Sequence, residues 1–261
     1  MVLESLLKAK EGLRKPLQIL ITSSIITFCS FLLSLFVFKH DIGLYSVFLI
    51  TIGLIPLTLK INLFASKISI KNKSNNVLSI FNFYKEIIVA YTCIFCGITL
   101  VLSLLYILLP SNIAEKTFQT QINEIKAIRG YFSFGGTFQT ILFNNLGVLL
   151  ACFVFSFIYG SGAIFILAWN ASILSTAIGM TAKAIGGIYA LPFAVLVYFP
   201  HGSVEILAYF LGAIAGGIAS NIITRNKLQI STLWDILFLL SLATFLLLIG
   251  AAIETTTIIL S

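Results

Sequence analysis

Long apolar runs with almost no charge are the feature that most constrains how this chain can fold. The first run, at positions 17–38, has a length of about 22 residues, and a helix needs about 20 apolar residues to cross the hydrocarbon core of a bilayer. Of all 261 residues, 59% are hydrophobic and only 10% are charged, whereas soluble domains carry roughly a quarter charged residues. The sequence therefore predicts an all-α, multi-pass protein of the cell membrane.

The positions of Lys and Arg predict the topology. Residues 1–16 form a basic, amphipathic lead-in, and a second basic segment, 60–86, falls within a three-span unit at 17–109. Because Lys and Arg mark cytoplasmic loops, we expect both basic segments and the N-terminus to lie in the cytoplasm. The net charge of +7 is accounted for in this way, and no nucleic acid partner is expected.

The segment at 110–137 should then lie outside the cell. Apolar residues recur there at roughly helical spacing, with polar residues between them: Phe118, Ile122, Ile125 and Phe132. This pattern predicts an amphipathic helix that lies on the outer membrane surface or over the mouth of a cavity.

The core of the chain is assigned to 138–223, and 224–261 holds a basic loop and the last span. Within the core, the apolar piece 186–199 is short for a crossing and is bounded by glycines and Pro200. We predict a re-entrant or broken segment here, which is tolerated at membrane depth only against protein or a wet cavity. The whole chain then has about six transmembrane helices plus this segment.

The motif Pro200-His201-Gly202-Ser203-Val204-Glu205 is the best candidate site. If Pro200 lies in the first helical turn, His201 and Glu205 are four residues apart on one face. Glu205 is the only acidic residue that this division places well inside a span. The same face continues through small residues that allow another helix to pack closely, namely Gly212, Gly216 and Ser220.

Three intramembrane amides are expected to join this pair, because each lies on a helix rich in small residues: Asn144, Asn145 and Asn170. Lys183, just before the short apolar piece at 186–199, is expected to reach the mouth of the cavity that these groups would line. A zinc site needs three or four ligands, and only His201 and Glu205 are good candidates, so we expect no metal and no other cofactor.

Three interpretations of these polar groups stay open. They specify helix packing through hydrogen bonds, they form a binding or catalytic pocket in which Glu205 is a base and His201 its partner, or they line a transport pathway. The sequence alone does not choose among them.

The chain resembles the stage II sporulation protein M family over roughly residues 138–221. The resemblance is carried by Asn144-Asn145, Gly160, Asn170, Gly179, Pro200-His201-Gly202, Glu205, Gly212 and Gly216. It implies one of two roles. The namesake members look like membrane scaffolds for cell-wall hydrolases, whereas members from circular-bacteriocin clusters are implicated in leader removal, head-to-tail closure or export of a hydrophobic peptide.

The leading hypothesis is a membrane protein that handles a membrane-associated peptide and performs peptide-bond chemistry on it. His201 and Glu205 would be catalytic, and the three amides would orient a carbonyl group. The alternatives are a non-catalytic scaffold that recruits envelope hydrolases and an exporter that uses the same polar cavity. The expected partners are the lipid bilayer, a hydrophobic peptide or other envelope proteins, and further copies of the chain or a membrane complex.

Overall fold

A computed structural model of the chain describes residues 15–71, 77–130, 137–224 and 230–260, and every element in these ranges is a helix. In chain order the α-helices are α1 (Pro16–Val37), α2 (Ile42–Lys71), α3 (Val77–Leu108), α4 (Ser111–Thr117), α5 (Gln119–Gly130), α6 (Thr137–Tyr159), α7 (Ala163–Ile185), α8 (Leu191–Thr224) and α9 (Ile230–Leu260). A short 3-10 turn, Gly187–Ala190, precedes α8.

Seven of the described helices are long and apolar enough to cross a membrane, namely α1, α2, α3, α6, α7, α8 and α9. The all-α membrane fold is thereby confirmed, with seven candidate spans in place of about six. The N-terminal unit holds three of them, the core holds three and the final segment holds one. Each is built from a run of apolar residues that lipid and neighbouring helices can accept on every side.

The boundary expected at Pro200 is wrong. Residues 191–199 and the motif that follows them belong to one helix, α8, with Pro200 inside it. Proline in a helix interior removes a single N–H donor, and here the apolar sequence on both sides keeps the helix going. At 34 residues the helix is about 51 Å long, well beyond a hydrocarbon core of about 30 Å. How its first turns lie relative to the bilayer stays a prediction.

The basic segment at 60–86 is largely helical, which corrects its interpretation as a loop. Helix α2 continues to Lys71 and α3 begins at Val77, so only 72–76 separate the two described helices. Lys is a good helix former, and the helices therefore continue past the end of their apolar runs. Residues 1–14 of the lead-in and 225–229 of the last basic loop lie outside the described residues.

The described part of the segment at 110–137 forms two short helices, α4 and α5. Phe118 between them is fully buried, and its ring packs 5.8 Å from that of Phe31 in α1 and 5.4 Å from that of Tyr106 in α3. Ile122 and Ile125 are buried on the same side, which confirms the amphipathic pattern, while Phe132 lies outside the described residues. Helix α5 packs against α7 and α2, so it covers that part of the bundle.

Helices α6 and α8 approach each other closely at two glycines. A Cβ atom at Gly212 would lie 2.5 Å from Cδ1 of Leu149, and one at Gly216 would overlap the carbonyl oxygen of Phe153 and lie 2.8 Å from Cβ of Ser156. Small residues at such positions let helix backbones come together, and van der Waals packing then holds the pair in lipid. This contact fixes the register in which α6 and α8 present their polar groups.

Gly216→Ala is therefore expected to destabilise the protein by about 1–3 kcal/mol, because the added methyl group meets a backbone oxygen that cannot move away. The measurement is the free energy of unfolding of the purified chain in mixed micelles. Gly147→Ala on α6 is the matched control, since a Cβ atom there meets nothing within 4 Å and alanine is the better helix former. Equal stability of the two variants would contradict the close contact.

Candidate functional site

A buried polar cluster joins α6, α8 and α9 near one end of the bundle. We call Asn145, Glu205, Tyr209 and Glu254 the carboxyl cluster. Asn145 follows the start of α6 at Thr137 by about 12 Å of helix, and Glu254 lies within the last two turns of α9. The three helices thus deliver their polar groups to the same depth.

Asn145 is the centre of the cluster and is only 6% exposed. Its Nδ2 donates a hydrogen bond of 2.7 Å to Oε1 of Glu205, and its Oδ1 accepts one of 2.9 Å from the hydroxyl of Tyr209. Nδ2 of Asn144 also donates to this Oδ1, at 3.4 Å. The amide is oriented by these partners, because donors meet its oxygen and an acceptor meets its nitrogen.

Glu205 extends from α8 across to α9. Its carboxyl group lies beside that of Glu254. A Cβ atom at Gly250, one turn before Glu254, would lie 2.8 Å from Cγ of Glu205 and 3.4 Å from its Oε1. Gly250 therefore leaves the space in which the Glu205 side chain lies.

His201 lies one turn before Glu205 on α8 and is half-buried. Its ring meets that of Tyr198 edge-on, with the ring centroids 6.5 Å apart. Its Nδ1 atom is buried and, among the described residues, has no hydrogen-bond partner. Glu205 accepts a hydrogen bond from α6 and lies against α9, while Nδ1 of His201, one turn away, has no such partner among the described residues.

The other predicted site residues lie elsewhere. Asn170 on α7 donates to the carbonyl oxygen of Ile166 in its own helix, at 2.8 Å. Lys183 donates to the carbonyl oxygens of Tyr106 and Leu109 at the end of α3, with its Nζ 5.6 Å from the ring centroid of Tyr106. A helix end leaves carbonyl groups without partners, and a lysine there satisfies them. The chain thus brings together the pair on α8 and the Asn144-Asn145 amides.

Sequence reasoning missed three members of this site. Tyr209 lies four residues after Glu205 on the face already singled out, so helical spacing would have found it. Gly250 and Glu254 are also four residues apart, at the end of the last apolar run. In addition, Asp235 in α9 is 4% exposed, so a further acidic side chain is buried near the start of the last span.

The arrangement can move protons and hold a polar group of a ligand. Two carboxyl groups supply an acid and a base in one place, the amide of Asn145 fixes the position of one of them, and the free nitrogen of His201 can accept or donate a proton. Such groups are costly at membrane depth unless they are paired or hydrated.

Asn145→Leu is expected to cost about 1–3 kcal/mol, because it leaves Oε1 of Glu205 and the hydroxyl of Tyr209 without their partner. Asn170→Leu removes a bond within one helix and is expected to cost about 0.6 kcal/mol or less. Unfolding of both purified variants in mixed micelles measures the difference. A smaller loss for Asn145→Leu than for Asn170→Leu would show that the cluster does not hold α6, α8 and α9 together.

The comparisons with known proteins agree with this architecture. The family model described as "Stage II sporulation protein M" matches residues 110–257, which is more than half of the chain and includes α6, α7, α8 and the carboxyl cluster. No curated protein and no solved structure matches the chain. With its seven apolar helices, the chain is a multi-pass cell-membrane protein that belongs to the stage II sporulation protein M family.

Proposed function

We propose that this protein binds a membrane-associated peptide at the carboxyl cluster and acts on one of its peptide bonds, as in peptide maturation for circular bacteriocins. The observation that carries the proposal is the hydrogen bond of 2.7 Å from Asn145 to Glu205, which fixes a carboxyl group between α6 and α9. A carboxyl group fixed in this way can act as a base, because its position relative to a bound peptide bond does not fluctuate.

The exposure of the residues supports access from one side. Asn145 and Tyr209 are buried, whereas Glu205, Glu254 and His201 are half-buried. The orienting groups are thus enclosed by protein, and the side chains with acid–base capacity keep part of their surface exposed. A peptide that reaches this end of the bundle would meet the reactive groups first.

The helix turns before His201 offer an apolar flank to a peptide of similar character. Phe193, Leu196 and Phe199 are 58%, 65% and 60% exposed, and they lead directly to the motif on α8. A hydrophobic peptide can pack against these side chains along the apolar face of the helix. This flank would bring the peptide to the carboxyl groups.

The roles of the residues follow from their geometry. Glu205 is the base, Asn145 holds it in place, and His201, whose buried Nδ1 has no partner among the described residues, lies one turn away on α8. General acid–base groups of this kind contribute about 100-fold to 10,000-fold to a rate.

The test is cleavage of a pool of synthetic apolar peptides of about 20 residues, long enough to enter a bilayer, by the purified chain in lipid nanodiscs. Mass spectrometry detects the products. We expect Glu205→Gln to reduce the cleavage rate by about 100-fold or more. His201→Ala should reduce it less, because His201 has a positioning or proton-transfer role and is not the base. Glu124→Gln, an exposed residue on α5, is the matched control.

Each contrary outcome points to one alternative. Unchanged cleavage in both site variants would remove the catalytic role. Peptide flux into liposomes without cleavage would favour an exporter. If neither cleavage nor flux occurs and the chain instead copurifies with an envelope hydrolase whether or not Glu205 is substituted, the protein is a scaffold.

A further inference from the structure

The last helix brings a second carboxyl group to the site. Glu254 lies on α9, and its side chain lies beside that of Glu205 on α8. The space that Gly250 leaves for Cγ and Oε1 of Glu205 is independent evidence for the same contact, because Gly250 and Glu254 lie on one face of α9.

Two neighbouring carboxyl groups repel each other strongly when both are ionised and away from bulk water, and such pairs share one proton. An ionised carboxylate only accepts hydrogen bonds, so one group of the pair is protonated when it donates to the other. That proton belongs to the pair and not to either residue.

The groups that face the carboxyl pair are compatible with this shared proton. Helix α6 contributes the neutral amide of Asn145, and α8 contributes the hydroxyl of Tyr209, which donates to that amide, and the imidazole of His201 one turn away. The amide takes up one oxygen of Glu205. The same oxygen lies 3.4 Å from the position of a Cβ atom at Gly250, so the amide holds the carboxyl group against α9.

We infer that Glu254 is a further catalytic residue and that, together with Glu205, it forms a carboxyl pair that hydrolyses the bound peptide bond with water. This inference rests on the proposed function and deepens it by naming the reaction: hydrolysis, with one proton shared by the two carboxyl groups.

The reaction balances with water as the only co-reactant. The ionised carboxyl group takes a proton from water as the water oxygen bonds to the peptide carbonyl carbon, and the protonated group gives its proton to the carbonyl oxygen. In the second step one group donates a proton to the nitrogen while the other takes one from a hydroxyl, and the C–N bond breaks. A carboxylic acid and an amine leave, and the pair again holds one proton.

The proton is tested without any substrate. Infrared spectra of the purified chain in nanodiscs report the C=O stretch of a protonated carboxyl group at neutral pH. We expect one such band, lost or shifted in Glu205→Gln and in Glu254→Gln alike and unchanged in the control Glu124→Gln. A wild-type spectrum without the band, or a band that Glu254→Gln leaves unchanged, would overturn the shared proton.

The catalytic role is tested with the same peptide pool. Glu254→Gln should slow cleavage about as much as Glu205→Gln, and the double variant should be no slower than either, since the two residues act as a unit. The cleavage rate should fall at both low and high pH, because only the singly protonated pair is active.

The two proposals fail in different ways. Cleavage that is lost in Glu205→Gln but retained in Glu254→Gln overturns the role of Glu254 and leaves the proposed function standing. A wild-type protein that cleaves no peptide overturns the proposed function together with the hydrolytic role, and the infrared band then decides the shared proton alone.

Discussion

The close contact between α6 and α8 is the interaction on which the rest of the site depends. Gly212 and Gly216 allow the backbone of α8 to approach that of α6, and with this spacing a short side chain such as Asn145 reaches both Glu205 and Tyr209. Larger residues at the glycines would separate the helices, and the amide would lose both partners. The helix packing and the hydrogen bonds therefore depend on each other, because lipid cannot replace a lost hydrogen-bond partner.

The other end of the bundle carries its own buried polar groups. Asn62 on α2 is fully buried; it donates to the carbonyl oxygen of Gly160 at 2.6 Å and accepts from the hydroxyl of Tyr91 at 2.8 Å. Tyr84 donates to Asp235 at 3.2 Å. Gly160 has a φ of 71°, which glycine adopts readily, and this turn ends α6. Polar links at both ends thus hold α8 and its neighbours, with the glycine contact between them.

Much of the fold follows from local sequence. Apolar runs of sufficient length predict the spanning helices, and the spacing in the outer segment predicts the buried side of α5. The His201–Glu205 spacing predicts the face of α8 that meets protein. These features depend on neighbours within one or two helical turns, which is the range over which periodicity carries information.

The remaining features depend on contacts between helices distant in sequence. Glu254 was missed because its partner is on another helix, and nothing near it in the chain indicates how α9 packs on α8. The Lys183 side chain is long enough to reach several sites, and in the structure it donates to the carbonyl groups at the end of α3. Helix α8 continues through Pro200 although a local rule favours a boundary there, because the apolar sequence on both sides forms helix and only one hydrogen bond is lost.

Pro200 has a consequence for the chemistry of the surface beside the site. Since it lacks an N–H group, the carbonyl oxygen of Leu196 has no donor from the residue four positions later. Helix carbonyl groups point towards the C-terminal end, and Leu196 is 65% exposed. The missing hydrogen bond leaves a main-chain acceptor on an otherwise apolar surface. A backbone N–H group of an extended strand of another molecule can donate to this oxygen, whereas lipid tails offer no donor.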